Sequence, residues 1–164
     1  MNLYIIRHAD AGDSSLWTQD DSLRPLTEHG RHQALALGEG LRRQGVSLEG
    51  IVSSPYVRTR ETAEGILKGL GASIELTFSD LLAAGAMRRS QLAEELAGKK
   101  LTSLAIVGHD PDMPEFLGWL LGVEPKKVFL KKGAAAFVQC RTPGKGLATL
   151  GWMITPAWYM NQAN

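Results

Sequence analysis

The sequence predicts an α/β fold: a single three-layer α/β/α domain with a mostly parallel central sheet flanked by helices. Three observations point there. Leu3 to Ile6 is a continuous apolar run, too short for a free-standing helix, and reads as a strand buried on both faces of a parallel sheet; Leu101 to Val107 reads as a second apolar strand. Longer segments with helical periodicity separate such runs, the alternation that builds βα units. With 164 residues the chain fits one domain, 1–164, and nothing calls for a second.

Hydrophobic residues make up 44% and charged residues 21%, ordinary values for a globular protein. Lys plus Arg number 18 against 17 for Asp plus Glu, so there is no general pull toward nucleic acid or anionic membrane. Any anion binding must be local. The single cysteine, Cys140, excludes an internal disulfide, and with an N-terminus that enters a strand at once the expectation is a cytoplasmic protein. No apolar run approaches the roughly 20 residues that span a bilayer.

The first strand ends abruptly at Arg7-His8. Ligands of open α/β sheets bind outside the carboxyl ends of the strands, so this pair falls where chemistry is expected. A guanidinium suits phosphate, and a neutral imidazole can be a nucleophile. Taken alone, the pair reads equally well as two solvated polar residues. Gly12 to Asp21 follows as a polar loop on the ligand side, with Trp17 read as a lid over the core.

Thr27 is placed to cap a helix from Glu28 to Gln44, which Gly45 stops; Ala34, Leu35, Leu37, Gly38 and Leu41 give it one inward face. His29 and His32, in its first turns, read as surface residues. Gly50 to Val52 is a short strand running into Ser53-Ser54-Pro55, and the next helix should continue to Lys68 and break at Gly69 and Gly71. The free N–H groups at its start make an anion site. Arg58 and Arg60 lie two residues apart and point different ways, so only Arg58 is expected to face the crevice.

Ala72 to Leu76 reads as an outer strand, and Arg88 to Ala97 as a helix ended by Gly98. The strand Leu101 to Val107 again runs into a histidine, in Gly108-His109-Asp110-Pro111. Met113, Phe116, Leu117, Leu120 and Leu121 mark a helix that stops at Gly122. Val128 to Leu130, Ala134 to Cys140 and Leu147 to Ile154 read as closing strands. Gly144-Lys145-Gly146 lacks the spacing of a phosphate-cradling loop.

Taken together, Arg7-His8, Arg24-Pro25-Leu26-Thr27 with Gly30, Ser54-Pro55 with Arg58 and Thr62, and Gly108-His109 resemble the histidine phosphatase superfamily. The resemblance runs from Asn2 to about Pro156. The short length, without a long insertion, is similar to the small SixA-type branch, the phosphohistidine phosphatases; His109-Asp110-Pro111 has Asp where that branch usually has Asn. The resemblance implies a phosphoglycerate mutase-like fold, a nucleophile at His8 that becomes transiently phosphorylated, and phosphoryl oxygens held by Arg7, Arg58 and His109. It implies no cofactor and no metal. The acid that many members supply from a Glu falls on Asp80, which reads equally as a solvated loop carboxylate.

The physics of the residues agrees. Phosphoryl transfer spreads charge over equatorial oxygens, so catalysis consists mainly of positioning and positive charge. Two guanidiniums beside His8 also disfavour its protonated form. With little chain left over for a lid, the expectation is an open shallow crevice on a monomer. The partner it implies is a phosphohistidine-bearing protein, a histidine-phosphotransfer domain or a phosphocarrier, with no nucleic acid or membrane involved. Competing readings are a small-molecule phosphomonoesterase of the same superfamily, a non-catalytic phosphate-binding module, and a metal-dependent hydrolase using His8-x-Asp10 and His109-Asp110-x-Asp112. The fixed charge of Arg7 opposes the last.

Overall fold

The first strand, β1 (Asn2–Arg7), lies inside a six-stranded sheet rather than at its edge, as its unbroken apolar run requires. The structure, a computed structural model, describes residues 1–124 and 127–162. Then follow α1 (Glu28–Arg43), β2 (Gly50–Ser53), α2 (Val57–Leu70), β3 (Leu76–Phe78), α3 (Arg89–Gly98), β4 (Ser103–Gly108), α4 (Asp112–Leu121), β5 (Ala135–Cys140), β6 (Ala148–Ile154) and α5 (Pro156–Tyr159). The sheet order is β3-β2-β4-β1-β5-β6. Strands β3, β2, β4 and β1 run parallel, β5 is antiparallel to β1, and β6 to β5.

Alternation along β1 sorts the core into two halves. Leu3 and Ile5 join Leu92 and Leu96 of α3 and Met113, Phe116 and Leu120 of α4 on one face. Tyr4 and Ile6 join Leu37 and Leu41 of α1, Ala63 and Ile66 of α2 and Tyr159 of α5 on the other. This is the expected three-layer α/β/α arrangement, with four of the six strands parallel. No helix of the described residues is long and apolar enough to cross a membrane.

Three expectations need correction. α2 does not break at Gly69 but runs through it to Leu70, with Gly71 at φ 66° as the stop. Gly69 is there for packing: a Cβ on it would collide with the Leu35 carbonyl of α1, and one on Gly38 with the Ile66 carbonyl of α2. The outer strand is Leu76–Phe78 rather than Ala72 to Leu76, because pairing with β2, Ile51 to Leu76 and Ser53 to Phe78, sets its register. Val128 to Leu130 is no strand. Leu130 is buried, and its carbonyl is committed to Arg7 instead of to a ladder.

Candidate active site

Strand register brings the two histidines together. Arg7 pairs with Gly108 across β1 and β4, so His8 and His109 each stand one residue beyond neighbouring strand ends, with the His8 N–H donating to the Gly108 carbonyl at 3.0 Å. Their rings are 5.4 Å apart between centroids. On the other side of β4, Ser53 pairs with Val107 and the Ser54 N–H donates to the Val107 carbonyl, which brings the Ser54 hydroxyl to 2.8 Å from His109 Nε2.

The tautomer of His8 follows from one contact. Its Nδ1 lies 2.7 Å from the Ala9 carbonyl oxygen, which can only accept, so Nδ1 carries the proton. Burial drives the ring's pKa down to about 3; the Ala9 carbonyl works against this, and the charges of Arg58, Arg7 and Lys132 reinforce it. The ring is therefore neutral at pH 7 and Nε2 keeps a free lone pair. The guanidiniums act as expected, but burial is the larger cause.

His109 is lowered to about 3 as well, first by burial and then by Arg58 and His8. The Ser54 oxygen also accepts the Tyr56 N–H at 3.3 Å, and it keeps both a proton and a lone pair for His109 Nε2, so the contact seats either tautomer of the neutral ring. Among the described residues, His109 Nδ1, Arg7 Nε and Arg58 Nε are buried nitrogens without a hydrogen-bond partner. Two guanidinium N–H groups and one ring nitrogen thus have hydrogen-bonding capacity unspent, on residues whose charges and burial bear on His8.

The outer nitrogens of both guanidiniums are anchored. Arg7 Nη1 donates to the Leu130 carbonyl at 2.9 Å and lies 3.5 Å from Asp110 Oδ1. Arg58, on the first turn of α2, donates through Nη1 and Nη2 to the carbonyl and carboxylate of Asp21, at 2.7 and 2.8 Å. Asp21 also takes Arg24 Nε at 2.8 Å. Burial raises the Asp21 pKa, but Arg24 and Arg58 outweigh it and hold the carboxyl below its ordinary value. His8 is only 6% exposed and Arg58 3%, so both lie deeper than an open, shallow crevice would place them.

The chain leaving His8 is locked from several sides. Ala9 N–H donates to Thr62 Oγ1, which donates on to the Arg58 carbonyl; Asp10 N–H donates to Gln33 Oε1; Lys132 Nζ reaches Asp10 Oδ1 at 3.0 Å. Thr27 caps α1 as expected, accepting the Gly30 N–H, and its hydroxyl also donates to the Asp10 carboxylate. Gly30 is required here, since a Cβ would collide with the Asp10 carbonyl.

The structure thus unites Arg7, His8, Arg58 and His109 and leaves Asp80 apart. Asp80 is exposed in a short turn after β3, at the same end of the sheet but at its outer edge, with no contact to those four among the described residues. Arg60 turns away and pairs with Glu64, and His29 and His32 are exposed. The carboxylates of the metal reading are engaged elsewhere: Asp10 with Lys132 and Thr27, Asp110 with Arg7, and Asp112 with the Gly85 N–H at 2.7 Å. Asp21, Lys132 and the Leu130 carbonyl went unrecognised in the sequence, because each reaches the site from a distant segment that carries no motif. Ser54 stood inside a motif, but only the fold gives it a partner.

The family model of the histidine phosphatase superfamily (branch 1) matches residues 3–83. The phosphohistidine phosphatase SixA of Escherichia coli K12 is 28% identical over 159 residues, covering 95% of this chain and 94% of that protein. A phosphohistidine phosphatase SixA homolog of Haemophilus influenzae is 30% identical over 131 residues, 74% of this chain and 78% of the relative. The solved structure of the protein histidine phosphatase SixA complexed with tungstate superposes with a TM-score of 0.84 at 24% identity, covering 96% of this chain and 98% of that one.

Proposed function

The chain belongs to the histidine phosphatase superfamily, in its SixA-type branch, and is a phosphatase; on that premise we propose that it removes phosphoryl groups from phosphohistidine on a partner protein. The partner is a histidine-phosphotransfer domain or a phosphocarrier, and the enzyme works as a single-domain monomer in the cytoplasm, a compartment its free, buried Cys140 suits. The observation that carries the reading is the unpartnered Nε–H of Arg7, Nε–H of Arg58 and Nδ1 of His109, buried beside the free Nε2 of His8.

In the proposed reaction, His8 Nε2 attacks phosphorus as the bond from phosphorus to the substrate imidazole breaks. The three donors take up charge on the equatorial oxygens. The departing imidazole nitrogen takes a proton, which it accepts readily, so demand on an acid is small. Asp80 is the proposed donor, although in the structure it stands exposed at the sheet edge, so a substrate leaving group must come to it. Water then attacks the phosphorylated His8, releasing phosphate and returning the lone pair to Nε2. No step calls on a metal.

The test is to trap acid-labile phosphate on the protein and map it. Label on His8, lost in His8→Ala along with turnover and formed equally in excess chelator, is the expected result. Turnover that survives His8→Ala would overturn the covalent mechanism, and preference for sugar phosphates over a phosphohistidine protein would overturn the substrate. Asp80→Asn should slow a phosphomonoester more than phosphohistidine; equal rates for both substrates in the variant and the parent would remove Asp80 from the mechanism.

A further inference from the structure

Between β1 and α1 the chain makes two short turns built alike. Asp13 accepts the Ser15 N–H at 2.9 Å and opens the turn Ser14–Leu16; Asp20 accepts the Ser22 N–H at 2.8 Å and opens the turn Asp21–Leu23. Each turn ends on a leucine presented to solvent, Leu16 at 81% and Leu23 at 54% exposure. Phe129, 67% exposed, directly precedes Leu130, whose carbonyl anchors Arg7. Asp21, inside the second turn, anchors Arg58. Two of these exposed apolar side chains, Leu23 and Phe129, are therefore borne on the segments that position the two guanidiniums, and Leu16 stands on the turn before.

Scattered exposed leucines need no explanation, but these sit on two consecutive capped turns, the second of which holds Arg58 beside His8. A metabolite would fill the recess at His8 and leave them in water. A folded protein that lowers a phosphorylated side chain into the recess must bring its own surface over them. The charges add a second constraint. Asp10 and Asp21 are paired with Lys132 and with Arg58 and Arg24, whereas among the described residues Asp13 and Asp20 form no ion pair. Beside the two leucines the surface thus carries two capping carboxylates outside any ion pair, while next to Phe129 it carries the exposed cation Lys131.

Resting on the phosphohistidine-protein reading above, we propose that these two turns, together with Phe129, are the docking surface for that protein. The surface fits a partner whose phosphorylated histidine is ringed by apolar and basic side chains. Because each turn is already closed by its Asp cap, little ordering is left for the moment of binding. The free carboxylates steer a basic rim, and salt screens that part of the encounter.

The experiment compares kcat and KM on a phosphohistidine-bearing phosphocarrier with those on phosphoramidate, a small molecule with the same type of P–N bond. L16S/L23S keeps both caps and Asp21. It is expected to lower kcat/KM on the protein substrate at least tenfold, through KM, and to leave phosphoramidate hydrolysis within twofold. D13N/D20N retains the capping oxygens and is expected to flatten the salt dependence of the protein reaction alone. Unchanged kcat/KM on the protein in L16S/L23S would overturn the proposal. Parallel loss on both substrates would overturn it too, since the turns would then serve the crevice itself, as would a dimer of the parent that L16S/L23S dissolves. A parent that hydrolyses phosphoramidate but not the phosphocarrier refutes the substrate reading instead, and needs no variant to reveal it.

Discussion

Burying two neutral imidazoles makes the fold lose stability as soon as pH falls through the ordinary histidine range. His8 and His109 both titrate near 3 in the folded chain, against about 6.5 when unfolded. As pH falls below the unfolded value, the unfolded chain takes up protons that the folded chain refuses. Stability is therefore complete above about pH 6.5 and drains away between there and about pH 3. Between pH 7.5 and 5.0 each ring should cost about 2 kcal/mol, and the pair about 4 kcal/mol. Since both folded values lie well below 5, the unfolded value alone sets nearly all of that cost. Asp10 and Asp21, held below their ordinary values by Lys132 and Thr27 and by Arg24 and Arg58 in spite of burial, lose stability only at lower pH. Urea unfolding at the two pH values measures the difference, and H8N/H109Q should remove most of it whatever the variant's own baseline. A parent that loses less than about 1 kcal/mol, or a variant that keeps the whole loss, would refute the burial and neutrality assigned to these rings.

Three further outcomes follow from single contacts. Ser54→Ala leaves His109 Nε2 buried without its 2.8 Å partner, costing about 1–3 kcal/mol of stability by urea unfolding. It also frees the His109 ring from its seat, so kcat should fall by up to about a hundredfold with KM little changed, and Ser54→Thr should restore part of it. Asp110→Asn removes a carboxylate 3.5 Å from Arg7 whose side chain is 43% exposed; discounted for solvent, the change is about 0.5–1 kcal/mol, read as two- to fivefold tighter inhibition by inorganic phosphate. Gly30→Ala drives a methyl into the Asp10 carbonyl and should cost about 1–3 kcal/mol in thermal or urea unfolding, with activity falling as the loop after His8 shifts.

What could be read from the chain alone was whatever is local. The apolar run of β1, the Thr27 cap and the stops at Gly71 and Gly122 depend on a few consecutive residues, and each stands where expected. So do the Arg-His and Gly-His strand ends, since a buried strand must finish before its polar residues begin. The opposed directions of Arg58 and Arg60 follow from helical geometry and likewise needed no fold.

Only the tertiary structure could decide what depends on register and on partners far away in sequence. Gly69 looked like a stop, but the close approach of α1 made it a packing residue inside a helix. Leu130 looked like a strand residue until its carbonyl was claimed by Arg7, 123 positions away. The seating of His109 on Ser54, the anchoring of Arg58 by Asp21 and the depth of His8 all arise where separate segments meet, at distances below 3 Å for the bonds involved. Propensity and periodicity act along the chain, whereas a proton's position and a group's burial are properties of the space around it.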